Sequence, residues 1–218
     1  MVCRKKDIVT FLCHLFLVAL CFSQNAEDVA SLKEIDSLTK NMFHYMNSRD
    51  YDAILDMTHP KVFDMVPKAS MKTMLKSTFE GNEEFSMDIP KMSPKYKISD
   101  LFKEEKDNLI YAFVSFDMNM KMTFHKQEFD EETKKTMVSM MSLKGMNVKF
   151  ITNNTLDVKM NNRLTIVMQD DTTNNAWVMV NYDVESPLFY QIVPTAVLEK
   201  AKEYYQDLMI ASKKSNEK

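Results

Sequence analysis

A chain of 218 residues, 45% of them hydrophobic, is long enough for one domain with a substantial core. It has only two glycines, Gly81 and Gly145, and so no glycine-rich loop to cradle a phosphate; P-loop and Rossmann nucleotide-binding readings are excluded. The formal net charge of −3 comes from interspersed acids and bases with no long basic stripe, so nucleic acid is not an expected partner.

The chain opens with the three parts of a secretory signal in order. Arg4, Lys5 and Lys6 form a basic start, Ile8 to Phe22 an apolar run broken only by Thr10 and His14, and the small residue Ser23 precedes a polar stretch. The apolar run is about fifteen residues, short of the ~20 that a spanning helix needs. Residues 1–23 are therefore expected to be a cleaved signal that exports the protein to a periplasm or to the outside, with residues 24–30 a short linker. A lipoprotein reading at Cys21 is weakened by the bulky Leu20 before it. Cys3, Cys13 and Cys21 all fall inside this signal, so the processed chain offers no disulfide, thiol nucleophile or thiolate metal site. The signal carries a net +2, which leaves −5 on the remainder. No later apolar run approaches spanning length, and no stable membrane span is expected after processing.

From Ser31 to Arg49, Leu32, Ile35, Leu38, Met42 and Met46 recur at spacings of three and four, which predicts an amphipathic helix. Asp50 is placed to cap a second helix from Tyr51 to about Met57, and Pro60 to open a short turn over Lys61 to Val66. Ser70 to Phe79 reads as a further helix ended by Gly81. The period then becomes two. Phe85, Met87 and Ile89 alternate as a strand, and Tyr96, Ile98 and Leu101 suggest its partner. Asn108 to His125 is the strongest strand signal. Its even-numbered face is apolar throughout, whereas its odd-numbered face is apolar at Leu109, Tyr111 and Phe113 and polar from Ser115 onward. One face is thus covered along the whole strand and the other at one end only, as in a curved sheet wrapped on helices.

Asp130 to Lys144 reads as an inserted helix with Asp130 as cap and Gly145 at its end. Strands follow at Val148 to Thr152, Leu156 to Met160, Leu164 to Met168 and Ala176 to Tyr182. The pairs Asn153-Asn154 and Asn161-Asn162 are assigned to the turns between them, because asparagine tolerates positive φ. Pro194 to about Met209 reads as the closing helix, and residues 211–218 as a flexible tail. Helices, a strand meander with one inserted helix, and a closing helix make an α+β protein, with 31–210 as a single domain.

Three stretches of this order resemble the nuclear transport factor 2-like superfamily, which includes the SnoaL-like domains. They are Asn47 to Phe63 (NSRDYDAILDMTHPKVF), Asp170 to Asp183 (DDTTNNAWVMVNYD) and Ile192 to Ala201 (IVPTAVLEKA), the last similar to exported Bacteroidota-type members. The resemblance covers most of Ser31 to Tyr205, with Lys126 to Gly145 as a departure. It implies a cone-like roll: a curved antiparallel sheet closing around helices, with a pocket at the open end. In that superfamily the pocket serves isomerases, lyases and ligand binders alike, so fold alone does not give function.

Candidate chemistry is sparse. His44, His59 and His125 lack the spacing of a zinc-binding helix, and the acidic pairs lack the loop and central glycine of a calcium site, so no metal site is expected. Met118, Met120 and Met122 share one strand face, and twenty methionines raise the question of thioether copper ligation. Their scatter along the chain ranks core packing ahead of it. Asp117 and His125 share a polar strand face but stand about 26 Å apart along it, too far to act as an acid–base pair. His59, in a His-Pro pair expected at the pocket mouth, is the weak candidate for a general base, ranked behind a backbone-bonded turn residue. Tyr45, Tyr51, Trp177 and Tyr182 complete the candidate ligand-binding set, each with core packing as the competing reading. The function expected is an exported non-enzymatic module with no cofactor, holding a small apolar ligand or meeting a protein partner. The alternatives are a cofactor-independent lyase or isomerase, and a dimerising structural domain forming a homodimer.

Overall fold

The structure, a computed structural model, describes residues 5–91, 95–104, 108–187 and 189–216, with side chains from 26 to 212 and at 214 within those ranges. The basic start at Arg4 and the side chains of the apolar run expected to be a signal lie outside the described residues. Among the described residues, no helix is long and apolar enough to cross a membrane.

Helix α1 spans Lys5–Ser48, and residues 24–30, expected as a linker, continue it as helix. Among its described side chains Ile35, Thr39, Met42 and Phe43 are buried, at the three-and-four spacing that puts them on one face. Asp50 caps α2 (Tyr51–Asp56) by accepting from the Ala53 N–H at 3.1 Å. Helix α3 (Lys61–Met65) starts directly after Pro60, and α4 (Lys68–Glu80) ends at Gly81.

Seven strands among the described residues form one antiparallel sheet. Its spine is the pair β4 (Leu109–Phe124) and β6 (Thr155–Gln169). Strands β1 (Phe85–Asp88), β2 (Tyr96–Ile98) and β3 (Phe102–Glu104) line up in turn along the outer edge of β4. On the outer edge of β6, β5 (Met146–Phe150) takes one end and β7 (Val178–Asn181) the other. Helix α5 (Glu131–Leu143) is the inserted helix, capped by Asp130 and followed by Gly145 at φ +78°. After β7 come α6 (Phe189–Ile192) and α7 (Thr195–Asn216).

Helices cover the sheet unequally, as the two faces of β4 predict. Ala112, Val114, Phe116 and Met118 pack on Ile35, Met42 and Phe43 of α1. Leu109, Tyr111 and Phe113 face the other way, against Phe189 and Ile192 of α6 and Val197 and Ala201 of α7. At the far end α5 lays Met137, Val138 and Met141 on Val148, Leu156 and Val158. Beyond Ser115 the opposite face is exposed at Asp117, Asn119 and Lys121.

The largest correction concerns Asn161-Asn162. These residues form no turn; they lie inside the single fifteen-residue strand β6 as a bulge. Phe116 pairs with Arg163 and Met118 with Met160, so two asparagines oppose Asp117 alone. Asn162 does adopt positive φ (56°), and its N–H donates to Asp117 Oδ1 at 2.9 Å. The asparagine chemistry was legible, but a bulge uses the same backbone conformation as a turn. Three shorter differences follow from length. The three-residue β3 and four-residue α6 carry no readable period, and α7 continues as helix to Asn216, through most of the expected tail.

Candidate functional site

A cavity of about 390 Å³ lies between the helices and the inner sheet face. Met42 and Met46 from the last turns of α1, Ile54 and Leu55 from α2, and Met71, Leu75 and Phe79 from α4 supply the helical wall. Phe116 and Met118 of β4, Arg163 and Thr165 of β6, and Met179 of β7 supply the sheet wall, with Phe189 and Ile192 of α6 closing one side. Six methionines line the space, counting Met57 with those named; their unbranched thioethers adapt to irregular guests. Thr58, Asn181, Asp183 and Ser186 add polar groups. The volume falls in the range of small-molecule pockets.

Local sequence explains the helical wall. Met71, Leu75 and Phe79 recur every four residues of α4, on one side of the helix. The same face is tied to α2 by ion pairs of Lys68 with Asp56 and Lys72 with Asp52, the latter at 2.6 Å. Arg49 lies over the Phe79 ring at 4.5 Å, and its Nη1 donates to the Met46 carbonyl, fastening α4 to the end of α1.

None of the five residues expected to line a pocket is among the residues lining this one. Tyr51 is buried; its hydroxyl donates to Glu80 at 3.3 Å and its ring meets Phe79. Tyr45 packs at the margin of the inner cluster. Trp177 donates from Nε1 to Glu34 at 2.9 Å, beside a separate shallow hollow along α1 with Lys33, Ser37 and Asn41. Tyr182 lies on the opposite sheet face, its ring 5.5 Å from both Phe189 and Tyr205. The residues that do line the cavity are mostly methionine, leucine, isoleucine, valine and phenylalanine, which read from sequence as ordinary core. Arg163 was hidden by the turn assigned to its two neighbours.

His59 is fully buried. Its N–H donates to the Met179 carbonyl (3.1 Å), and the Met179 N–H donates to that of Met57 (2.7 Å), stitching the α2–α3 link to β7. The ring accepts at Nδ1 from the Lys61 N–H (3.2 Å), which places the proton on Nε2, an atom with no partner among the described residues. Burial holds the imidazole pKa below its usual value of 6.5, opposed by the nearby Asp170 charge. The turn role is therefore visible in the geometry.

A stability prediction follows. Below pH 6.5 the unfolded chain takes up a proton that the buried ring refuses, so stability falls as pH drops, by at most about 1.4 kcal/mol per pH unit from this residue. Above 6.5 both states are neutral and the effect vanishes. Urea unfolding at pH 7.5 and 5.5 should show this loss in the wild type and a smaller one in His59→Asn; equal losses would rule it out.

Among the described residues, no group of three or more histidine, cysteine, aspartate or glutamate side chains is gathered as a metal site. Compared with protein-family models, curated proteins and solved structures, the chain matches none.

Proposed function

We propose that this chain is an exported binding module that holds one small, largely apolar ligand in the methionine-lined cavity, within a roll of the nuclear transport factor 2-like type. The observation that carries the reading is the cavity itself. A sheet of this size and its helices can close a dry core, yet here α1, α2 and α4 leave against the sheet a space walled by side chains suited to an apolar guest. The order of elements, with one long and three shorter helices ahead of an antiparallel sheet, supports the kinship. Binding is favoured over acid–base catalysis by the lining. Its ionisable groups are Arg163 and Asp183, and Asp183 is exposed and turned back to accept from the Glu185 N–H. The signal-like start supports export.

Native mass spectrometry of the protein recovered from a secreting host tests both parts. The expected species is a chain beginning near residue 24 with one small molecule retained, or one equivalent of added 1-decanol taken up. An unprocessed chain would sink the export reading, and a bare chain that takes up no 1-decanol would sink the binding one.

A further inference from the structure

Among the described residues Arg163 is the one cation lining the cavity, and three observations set it apart. It is half-buried, and its guanidinium has no hydrogen bond or ion pair with any described residue. Other basic side chains bordering this region are engaged: Arg49 on Phe79 and Met46, Lys68 and Lys72 on carboxylates. Its position is also set by backbone. Arg163 follows the bulge directly and pairs with Phe116, which turns it to the inner sheet face with Thr165. On its outer side the strand is open, because β5 ends its pairing at Met160 and β7 begins at Thr165.

Among the described residues no Arg163 nitrogen is buried without a partner, so the guanidinium reaches water at the rim of the cavity, where an incoming anion can take it as a charge-assisted partner. Asp183 lines the same cavity but forms no ion pair with Arg163 and is occupied by its own turn. Asn181 accepts from Thr165 at Oδ1, which leaves its amide N–H groups available beside the guanidinium's strand. The lining thus offers one fixed positive charge, neutral donors next to it, and apolar walls beyond.

We infer that the ligand is an amphipathic mono-anion, a carboxylate whose headgroup is held by Arg163 at the gap between β5 and β7 while its apolar body lies among the methionines. This rests on the binding reading above and adds the chemical class. A single charge fits better than a phosphate dianion, since one arginine is opposed by one aspartate in the same lining.

Calorimetric titration at pH 8 with decanoate and with 1-decanol tests it. The two share a chain, and only decanoate carries charge at that pH. Decanoate is expected to bind at least about tenfold more tightly, the effect of a charge-assisted hydrogen bond. The ratio should collapse in Arg163→Gln and recover in part in Arg163→Lys, which keeps the charge but not the two-pronged geometry; unfolding midpoints check that both variants fold. Equal binding of the two ligands by the wild type, or an unchanged ratio in Arg163→Gln, overturns the anion assignment alone. Failure of both ligands to bind overturns the cavity reading with it.

Discussion

Truncating Phe113 to alanine is expected to cost about 3–5 kcal/mol, the largest loss from any single side chain here. Its ring is fully buried on the outer face of β4 and is the hub of an aromatic set, with centroids 5.3 Å from Phe102, 5.6 Å from Tyr111 and 5.1 Å from Tyr204. These contacts join β3, β4 and α7, so the hole would open where three elements meet, and the backbone of a central strand cannot move in to fill it. Phe113→Leu keeps much of the volume and should lose far less. Urea titration of both variants reads the difference, and a thermal midpoint drop on the order of 10 °C should accompany the alanine change. A loss below about 1 kcal/mol would mean that α7 does not clamp this face.

Gly81→Ala is the second large effect, about 2–4 kcal/mol, and here the cause is backbone rather than volume. Gly81 sits at φ +78° and ψ −177°, a region essentially reserved for glycine. A Cβ there would stand 2.8 Å from the Phe85 carbonyl oxygen and 2.9 Å from the Ser86 Cα, both main-chain atoms that are fixed in β1. The next residue closes the same corner, as the Asn82 side chain accepts from the Glu84 and Phe85 N–H groups at 2.8 and 3.0 Å. Gly145→Ala is the control. It has the same φ, but its nearest neighbour is the tip of Tyr205 at 3.4 Å, so only the left-handed strain of about 1–2 kcal/mol applies. The two sites also differ in function, because Gly81 sets where α4 stops and hence how Met71, Leu75 and Phe79 wall the cavity. Gly81→Ala is expected to weaken 1-decanol binding, and Gly145→Ala to leave it alone. Equal destabilisation by the two changes would refute the steric account.

Much of the architecture was legible because burial leaves a period. Ile35 and Met42 repeat as a helix face must, and the odd-numbered face of β4 turns polar after Phe113, where the outer helices stop covering it. Asp50, Asp130 and the two glycines mark helix ends by local chemistry that needs no tertiary context. The candidate site was less legible for the same reason. A cavity wall and a packed core ask for identical residues, so Met42, Leu75 and Met118 look alike in either role. Tyr51, Trp177 and Tyr182 were chosen as pocket aromatics, but each has found a partner of its own elsewhere, in Glu80, Glu34 and Phe189. Arg163 becomes conspicuous only once the strand is known to run unbroken past it.

That unbroken strand has one further consequence. Along β6 the apolar residues Leu156, Val158 and Met160 point to one side of the sheet and Leu164, Ile166 and Met168 to the other, although all six have even numbers. The extra asparagine reverses the count between them. Losing one of Asn161 or Asn162 would therefore leave each of these six side chains facing as it does now. This strand pair carries one spare link, and it is placed beside the arginine that lines the hollow.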